Sequence, residues 1–324
     1  MKDLLEAIIT QLREGKRAML ATIVEQRGSA PRGVGTAMVV AEDGGQTGTV
    51  GGGSMEHRVR QDAVELIREN ASVLESYEIH ADEKDVYSGG VTILFRLFSG
   101  EQGLLLAESV LDALKHGENR YFVCNLAQQN TFETNLMDAV AICARMELDC
   151  PPQQTLISGN EPGYLIEPIF PAPRVILFGG GHVAQMMARQ LALLDYRVWV
   201  VEDRAEFATR VLFPSAERVI HCAYDEAEEL LQISNRDHVI VMSRGHETDY
   251  QILRRVLRSA ADYIGCIGSK RKIALTRERL LSDGVPKEQL DRLHAPIGLA
   301  IGAETPAEIA VSVAAELIQY CSKK

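Results

Sequence analysis

Two glycine-rich segments hold the residues best placed to do chemistry. The first is ILFGGGHVAQ, in which Gly179, Gly180 and Gly181 follow a short apolar run and Ala184 completes a Gly-x-Gly-x-x-Ala pattern. With a strand before it and a helix after it, such a turn lets backbone come close to a pyrophosphate and aims free helix-terminal N–H groups at it. The next strand ends in Glu202 and Asp203, where the ribose-binding carboxylate of a dinucleotide fold is expected. Loops after later strands carry Arg244 and His246 (in SRGHETD) and Lys270 (in GSKRK). In a doubly wound sheet every strand's carboxyl end faces one crevice, so His182, Asp203, Arg244, His246 and Lys270 are expected to converge on one ligand. Read blandly, His246 caps a helix from its loop, and the lysines are a solvated helix start. Cations at a helix N-terminus are unfavourable, however, unless an anion is near.

The second segment is TGTVGGGSMEHRV. Gly51, Gly52 and Gly53 sit at a helix start and suggest a second anion cradle, with Arg32 of GSAPRGVG as its mobile cation. Glu56 complicates this, because a carboxylate in the first helical turn satisfies the dipole by itself and repels phosphate. Either it is only the dipole's partner, or it meets the amino-and-imino edge of a pterin with two parallel hydrogen bonds.

The elements that must position these residues divide into two halves. Six of the eleven prolines fall between Pro151 and Pro173, which marks a boundary. Domains are expected at 1–170 and 174–324, with GYLIEPIF as a strand closing the first domain's sheet. The first domain reads as α+β: helices at 3–15, 55–69 and 104–115, and strands at 18–24, 36–41, 46–50, 74–79, 91–98 and 121–126. The second reads as strictly alternating α/β, a Rossmann-like parallel sheet. Its strands are expected at 175–178, 198–201, 218–222, 239–242 and 263–267, with helices at 183–194, 225–232, 248–260 and 271–282. Thr305, Pro306 and Glu308 spell a capping box for a last helix.

Charge and composition narrow the function. From Arg174 to Lys324 the chain holds 20 Lys/Arg and 20 Asp/Glu, so the first 173 residues carry the whole net charge of −11. That half would repel a phosphate backbone, which sets nucleic acid aside as a partner. No apolar run is long enough to span a bilayer and the N-terminus is amphipathic rather than a signal peptide, so no membrane partner and a cytoplasmic location are expected. The six cysteines form no Cys-x-x-Cys pair and read as reduced, mostly buried thiols, with no metal site.

The chain resembles the XdhC/CoxI family over nearly its whole length. The resemblance rests on GSAPR (28–32), GTVGGGSME (48–56), FGGGHVA (178–184), VVEDR (200–204), SRGHETD (243–249), YIGCIGSKRK (263–272) and APIGLAIGAETPAEIA (295–310). It implies a non-catalytic maturation factor of molybdenum hydroxylases such as xanthine dehydrogenase. Such a factor binds molybdenum cofactor (molybdopterin or its cytosine dinucleotide form), holds it while a sulfurtransferase installs the terminal sulfur, and delivers it to the apo-hydroxylase, commonly as a homodimer. One departure stands out: where the family commonly has Cys-Gly-Gly, this chain has Ser88-Gly89-Gly90, and a serine neither ligates molybdenum nor accepts sulfur well. Cys266 is a candidate substitute, with a buried structural thiol as the bland reading. From the residues alone, an NAD(P)-dependent oxidoreductase using the same crevice, or a nucleotide sensor, stays open. Glu202 and Asp203 would suit NAD more than NADP, and no convincing hydride-transfer pair is evident.

Overall fold

A computed structural model describes residues 1–30, 32–79, 89–126, 134–157 and 163–323, and the chain divides into two compact units, Met1–Pro171 and Ala172–Lys324. The first begins with α1 (Lys2–Arg13), β1 (Ala18–Gly28), β2 (Ala37–Ala41) and β3 (Gln46–Gly48). It continues through α2 (Gly53–Glu69), β4 (Val73–Ile79), β5 (Gly89–Phe98), α3 (Gly100–His116) and β6 (Arg120–Asn125). It closes with β7 (Thr134–Met137), α4 (Ala139–Met146), β8 (Leu156–Ile157) and β9 (Tyr164–Ile169).

A five-stranded antiparallel sheet, ordered β3-β2-β1-β5-β4, forms the centre of this unit. The first seven residues of β1, Ala18–Val24, are buried on both faces because their side chains alternate. Ala18 and Leu20 pack with Leu5 and Ile8 of α1 and Val110 of α3, whereas Met19, Ala21 and Ile23 pack with Val59, Ala63 and Ile67 of α2. Full burial of each large aliphatic side chain contributes about 1.5–3 kcal/mol, so the apolar stripe of α1 (Leu4, Leu5, Ile8, Ile9, Leu12) is what docks that helix. GYLIEPIF forms a strand, but it does not close this sheet. As β9 it pairs with β6 and β8 in a separate four-stranded sheet, β7-β6-β9-β8. β7, α4 and β8 lie in a stretch whose short, mixed polar pattern carries no clear period.

The second unit holds β10 (Arg174–Phe178), α5 (His182–Leu193), β11 (Arg197–Glu202), β12 (Arg218–His221), α6 (Ala227–Leu231) and β13 (Asp237–Val241). Then come α7 (His246–Val256), β14 (Tyr263–Cys266), α8 (Lys270–Ser282), α9 (Lys287–Leu290), β15 (Leu293–His294) and α10 (Pro306–Cys321). All pairings in its six-stranded sheet are parallel, in the order β12-β11-β10-β13-β14-β15. This is the doubly wound order, with its switch point between β10 and β13. Alternation along β10 sends Val175 and Leu177 to one face, with α5 and α10, and Ile176 and Phe178 to the other, with α7 and α8. The expected strict alternation is interrupted twice: residues 203–217, between β11 and β12, run as turns anchored by buried Phe213 and Ala216, and α9 follows α8 with no strand between them. α10 begins with the expected capping box of Thr305, Pro306 and Glu308.

Candidate functional site

At the carboxyl edge of the parallel sheet, β10 ends and the chain turns through Gly179–Gly181 into α5. Gly179 is required here by contact: its φ is 122°, and a Cβ would lie 2.4 Å from the Met242 carbonyl oxygen. Gly180 donates its N–H to a carboxylate supplied by the protein itself, Glu202 Oε2. Glu202 is fully buried, and Arg204 grips it with Nε at 2.7 Å from Oε1 and Nη2 at 3.0 Å from Oε2. Burial alone would raise this carboxyl. Arg204, a hydrogen bond shared with Asp203 and the Gly180 and Arg204 N–H groups outweigh burial and hold it well below the usual range. Asp203, partly buried and beside Glu202, is pushed upward by both. The two carboxylates that look equivalent in sequence therefore differ: Glu202 turns inward, and Asp203 borders solvent and accepts from Arg244 Nη2 at 3.2 Å.

The structure thus brings Gly179, Gly180, Gly181, Glu202, Asp203 and Arg244 together at the ends of β10, β11 and β13. His182, His246 and Lys270 are exposed first residues of α5, α7 and α8 on the same edge. His246 makes no side-chain cap of α7. Asp249 organises that loop instead, its Oδ1 accepting from Ser243 N at 3.0 Å and Ser243 Oγ at 2.6 Å. Ser269 caps α8 through the Lys272 N–H. Residue type alone assigns no role to Asp249 or Arg204, although SRGHETD and VVEDR contain them. Each acts through an acceptor or donor within the same loop, a pairing that residue type does not announce. Beside Asp203 lies a cleft of about 810 Å3, lined also by Tyr224, Arg244, Arg254, Arg255 and Arg258. The arginines of α7 and the turn after it are likewise missed by sequence reasoning, although Arg254 and Arg258 stand at i, i+4.

The glycine loop of the first unit is built on a similar principle. Gly51, Gly52 and Gly53 all have positive φ (141°, 81° and 67°), which accounts for three consecutive glycines without a ligand. Glu56 reaches back over the start of α2, accepting from the Thr49 hydroxyl and from the N–H groups of Val50 and Gly52, both at 3.1 Å. Burial raises this carboxyl, but hydrogen bonds from Thr49 and Gln46 side chains and from the Gly52 and Val50 backbone outweigh it, holding it at about 2 against an ordinary 4.5. Because the folded value is the lower one, this stability is complete above pH 4.5 and is lost as pH falls toward about 2. We therefore expect Glu56→Gln to flatten the acid limb of the first unit's stability across that window. Circular-dichroism melts between pH 2 and 6 check it, and an unchanged acid slope would contradict the assignment.

Arg32 is exposed on the β1–β2 loop. That loop begins where Gly28 pairs with Gly89, and a Cβ on Gly89 would lie 2.3 Å from the Arg27 carbonyl oxygen. The Gly89-Gly90 pair therefore sits directly against the start of GSAPR; Ser88 lies outside the described residues. All six cysteines are free, but only Cys124 and Cys266 are buried, and Cys150 and Cys321 are exposed, so the expected burial holds for a minority. Burial pushes the Cys266 thiol well up and its Sγ faces the Ile267 carbonyl, an arrangement that keeps it protonated. Among the described residues no helix is long and apolar enough to cross a membrane, and no three His, Cys, Asp or Glu gather as metal ligands.

A six-stranded parallel sheet with a glycine turn at its switch point, preceded in the same chain by an α+β unit with its own glycine loop, defines a two-domain protein of Rossmann-like class. The sequence identifies which one: residues 11–78 match the XdhC and CoxI family and residues 175–317 match the XdhC Rossmann domain, and the chain belongs to this family. Three comparisons place it further. It is 28% identical over 95% of its length to a Bacillus subtilis protein named as a probable xanthine dehydrogenase subunit, of which it covers 94%. It is 26% identical over 98% of its length to the Escherichia coli protein named molybdenum cofactor insertion chaperone PaoD, covering 87% of it. It is also 28% identical to Escherichia coli YqeB over 93% of its own length, but spans only 43% of that longer protein. A crystal structure titled as a xanthine dehydrogenase from Bacillus halodurans shares the fold, with a TM-score of 0.80 at 24% identity, covering 100% of this chain and 96% of that one.

Proposed function

We propose that this chain is a maturation factor that binds molybdenum cofactor and delivers it to a hydroxylase of the xanthine dehydrogenase type. The observation that carries the reading is the polar crevice at the carboxyl edge of the Rossmann sheet, where Asp203 and Arg244 border an arginine-lined cleft of about 810 Å3. That volume is ample for a drug-sized ligand, and the arginines suit its phosphate. The name of PaoD, which aligns with nearly the whole chain, supports the same cargo. The glycine turn argues against a dinucleotide-dependent oxidoreductase, because the Gly180 N–H that a pyrophosphate needs is already given to Glu202.

In this reading the chain works in the cytoplasm as a homodimer and without catalysis. Arg32, Gly51, Gly52, Gly53 and Glu56 in the first domain, and Gly179, Gly180, Gly181, His182, Glu202, Asp203, Arg244, His246 and Lys270 in the second, shape or contact the cargo. The cofactor, molybdopterin or its cytosine dinucleotide form, is held while a sulfurtransferase acts on it, and then passes to the apo-hydroxylase. Purified chain mixed with molybdenum cofactor should retain it through gel filtration and then activate apo-hydroxylase. Failure to retain it at micromolar concentration sinks the proposal. Arg32→Ala should weaken retention by about 1.5–3 kcal/mol, the worth of a charged hydrogen bond. Unchanged affinity would return Arg32 to the solvated surface.

A further inference from the structure

We propose that the arginine cleft of the second domain is a nucleotide subsite that takes a nucleoside diphosphate group, its phosphates on arginine side chains rather than on the glycine turn. The inference rests on the proposed cofactor-binding role only for the origin of the ligand. If that role holds, the cleft seats the nucleotide end of a dinucleotide cofactor.

The geometry gives three reasons. First, one of the usual phosphate donors is occupied: Gly180 N–H is bound to fully buried Glu202, and a phosphate placed there would meet that carboxylate. Second, the cleft next to it draws its walls from the ends of three strands, with Asp203 after β11, Tyr224 after β12 and Arg244 after β13. Asp203 stands where a Rossmann fold places its ribose-binding carboxylate, and Tyr224 offers a ring against which a base can lie. Third, α7 and the turn after it add Arg254, Arg255 and Arg258 to the lining. Cations at a helix C-terminus complement its dipole, but that purpose explains neither the concavity nor Arg244, which arrives from a different segment. Planar guanidinium groups grip phosphate oxygens with two parallel bonds, and the exposed Arg254 and Arg258, at i and i+4, can share a diphosphate.

Isothermal titration calorimetry on the full chain tests this with ADP, CDP and inorganic pyrophosphate as probes. At least one nucleoside diphosphate should bind with micromolar Kd, at least tenfold more tightly than pyrophosphate. The Arg254→Ala/Arg258→Ala double variant should weaken it tenfold or more. Both arginines are exposed, and an unchanged melting temperature would show that the variant is folded. Asp203→Asn should weaken nucleotide binding without weakening pyrophosphate binding. No nucleotide binding, binding indifferent to the double variant, or pyrophosphate binding as tight as the nucleotides would each overturn the proposal. Cofactor retention measured on the same preparations separates the two readings. Retention without nucleotide binding removes the subsite and leaves the maturation role; nucleotide binding without retention does the reverse.

Discussion

Glu202→Ala is expected to destabilise the second domain by about 3 kcal/mol. The substitution leaves the N–H of buried Gly180 without its acceptor and the Arg204 guanidinium without its bidentate partner. Losing a hydrogen bond to a charged group costs about 1.5–3 kcal/mol, and stranding a charge adds to it. Arg204 limits the loss, because its side chain is 23% exposed and can recover water. It also rests on the Phe207 ring at 3.9 Å, a contact the substitution leaves in place. Glu202→Gln should fall between the two, since its amide oxygen can still accept from Gly180 while its NH2 opposes Arg204. The chain's single tryptophan, Trp199 in β11, is well placed to report the transition. Urea unfolding followed by its fluorescence should show a midpoint shift without a change in slope. A midpoint within experimental error of the unsubstituted protein would show that Glu202 does not hold the turn.

A larger loss, about 3–5 kcal/mol, is expected in the first domain from Arg96→Leu. Arg96 lies in β5 and Glu167 in β9, with side chains 3% and 5% exposed, and they form an ion pair that joins the two sheets of this domain. Arg96 Nε also donates to Thr134 Oγ1 at 3.0 Å, and its guanidinium covers the Phe122 ring at 4.3 Å. Removing the arginine leaves a carboxylate in an apolar interior, where desolvation is far larger than any surface effect. The Arg96→Leu/Glu167→Leu pair should recover much of the loss, because no lone charge remains. A double-mutant cycle on the four proteins, read by hydrogen exchange of the β5, β6 and β9 amides, measures the coupling. If each single variant cost no more than an exposed pair, at most about 1 kcal/mol, the pair would not be the tie between the sheets.

The two ion pairs also mark how far residue patterns reach. Arg96 is a lone cation in the apolar run VTILFRLF, and Glu167 a lone anion in YLIEPIF, so each is visible as an oddity. Their partnership spans 71 positions and depends on how two sheets pack, which no local period encodes. The same limit explains β9. Its alternation and composition mark it as a strand, but its choice of β6 and β8 as neighbours is a long-range matter.

What the sequence determined by itself is the set of elements with strong periodicity and the turns with special chemistry. The stripe of α1, the parallel strands of the second unit, the capping box of α10 and the glycine turn at Gly179 all follow from apolar spacing and backbone sterics acting within a few residues. Long-range pairing and packing set what the glycine segments do with their donors. In both, a carboxylate of the chain itself, Glu56 or Glu202, occupies backbone N–H groups that the motif alone would offer to an anion. The same pairing and packing decide that Asp203, and not Glu202, faces the crevice, and that arginines from α7 and its flanking loops gather around it. The physical reason is that a buried carboxylate goes wherever hydrogen bonds offset its desolvation. The available donors are fixed only when strands distant in sequence have paired.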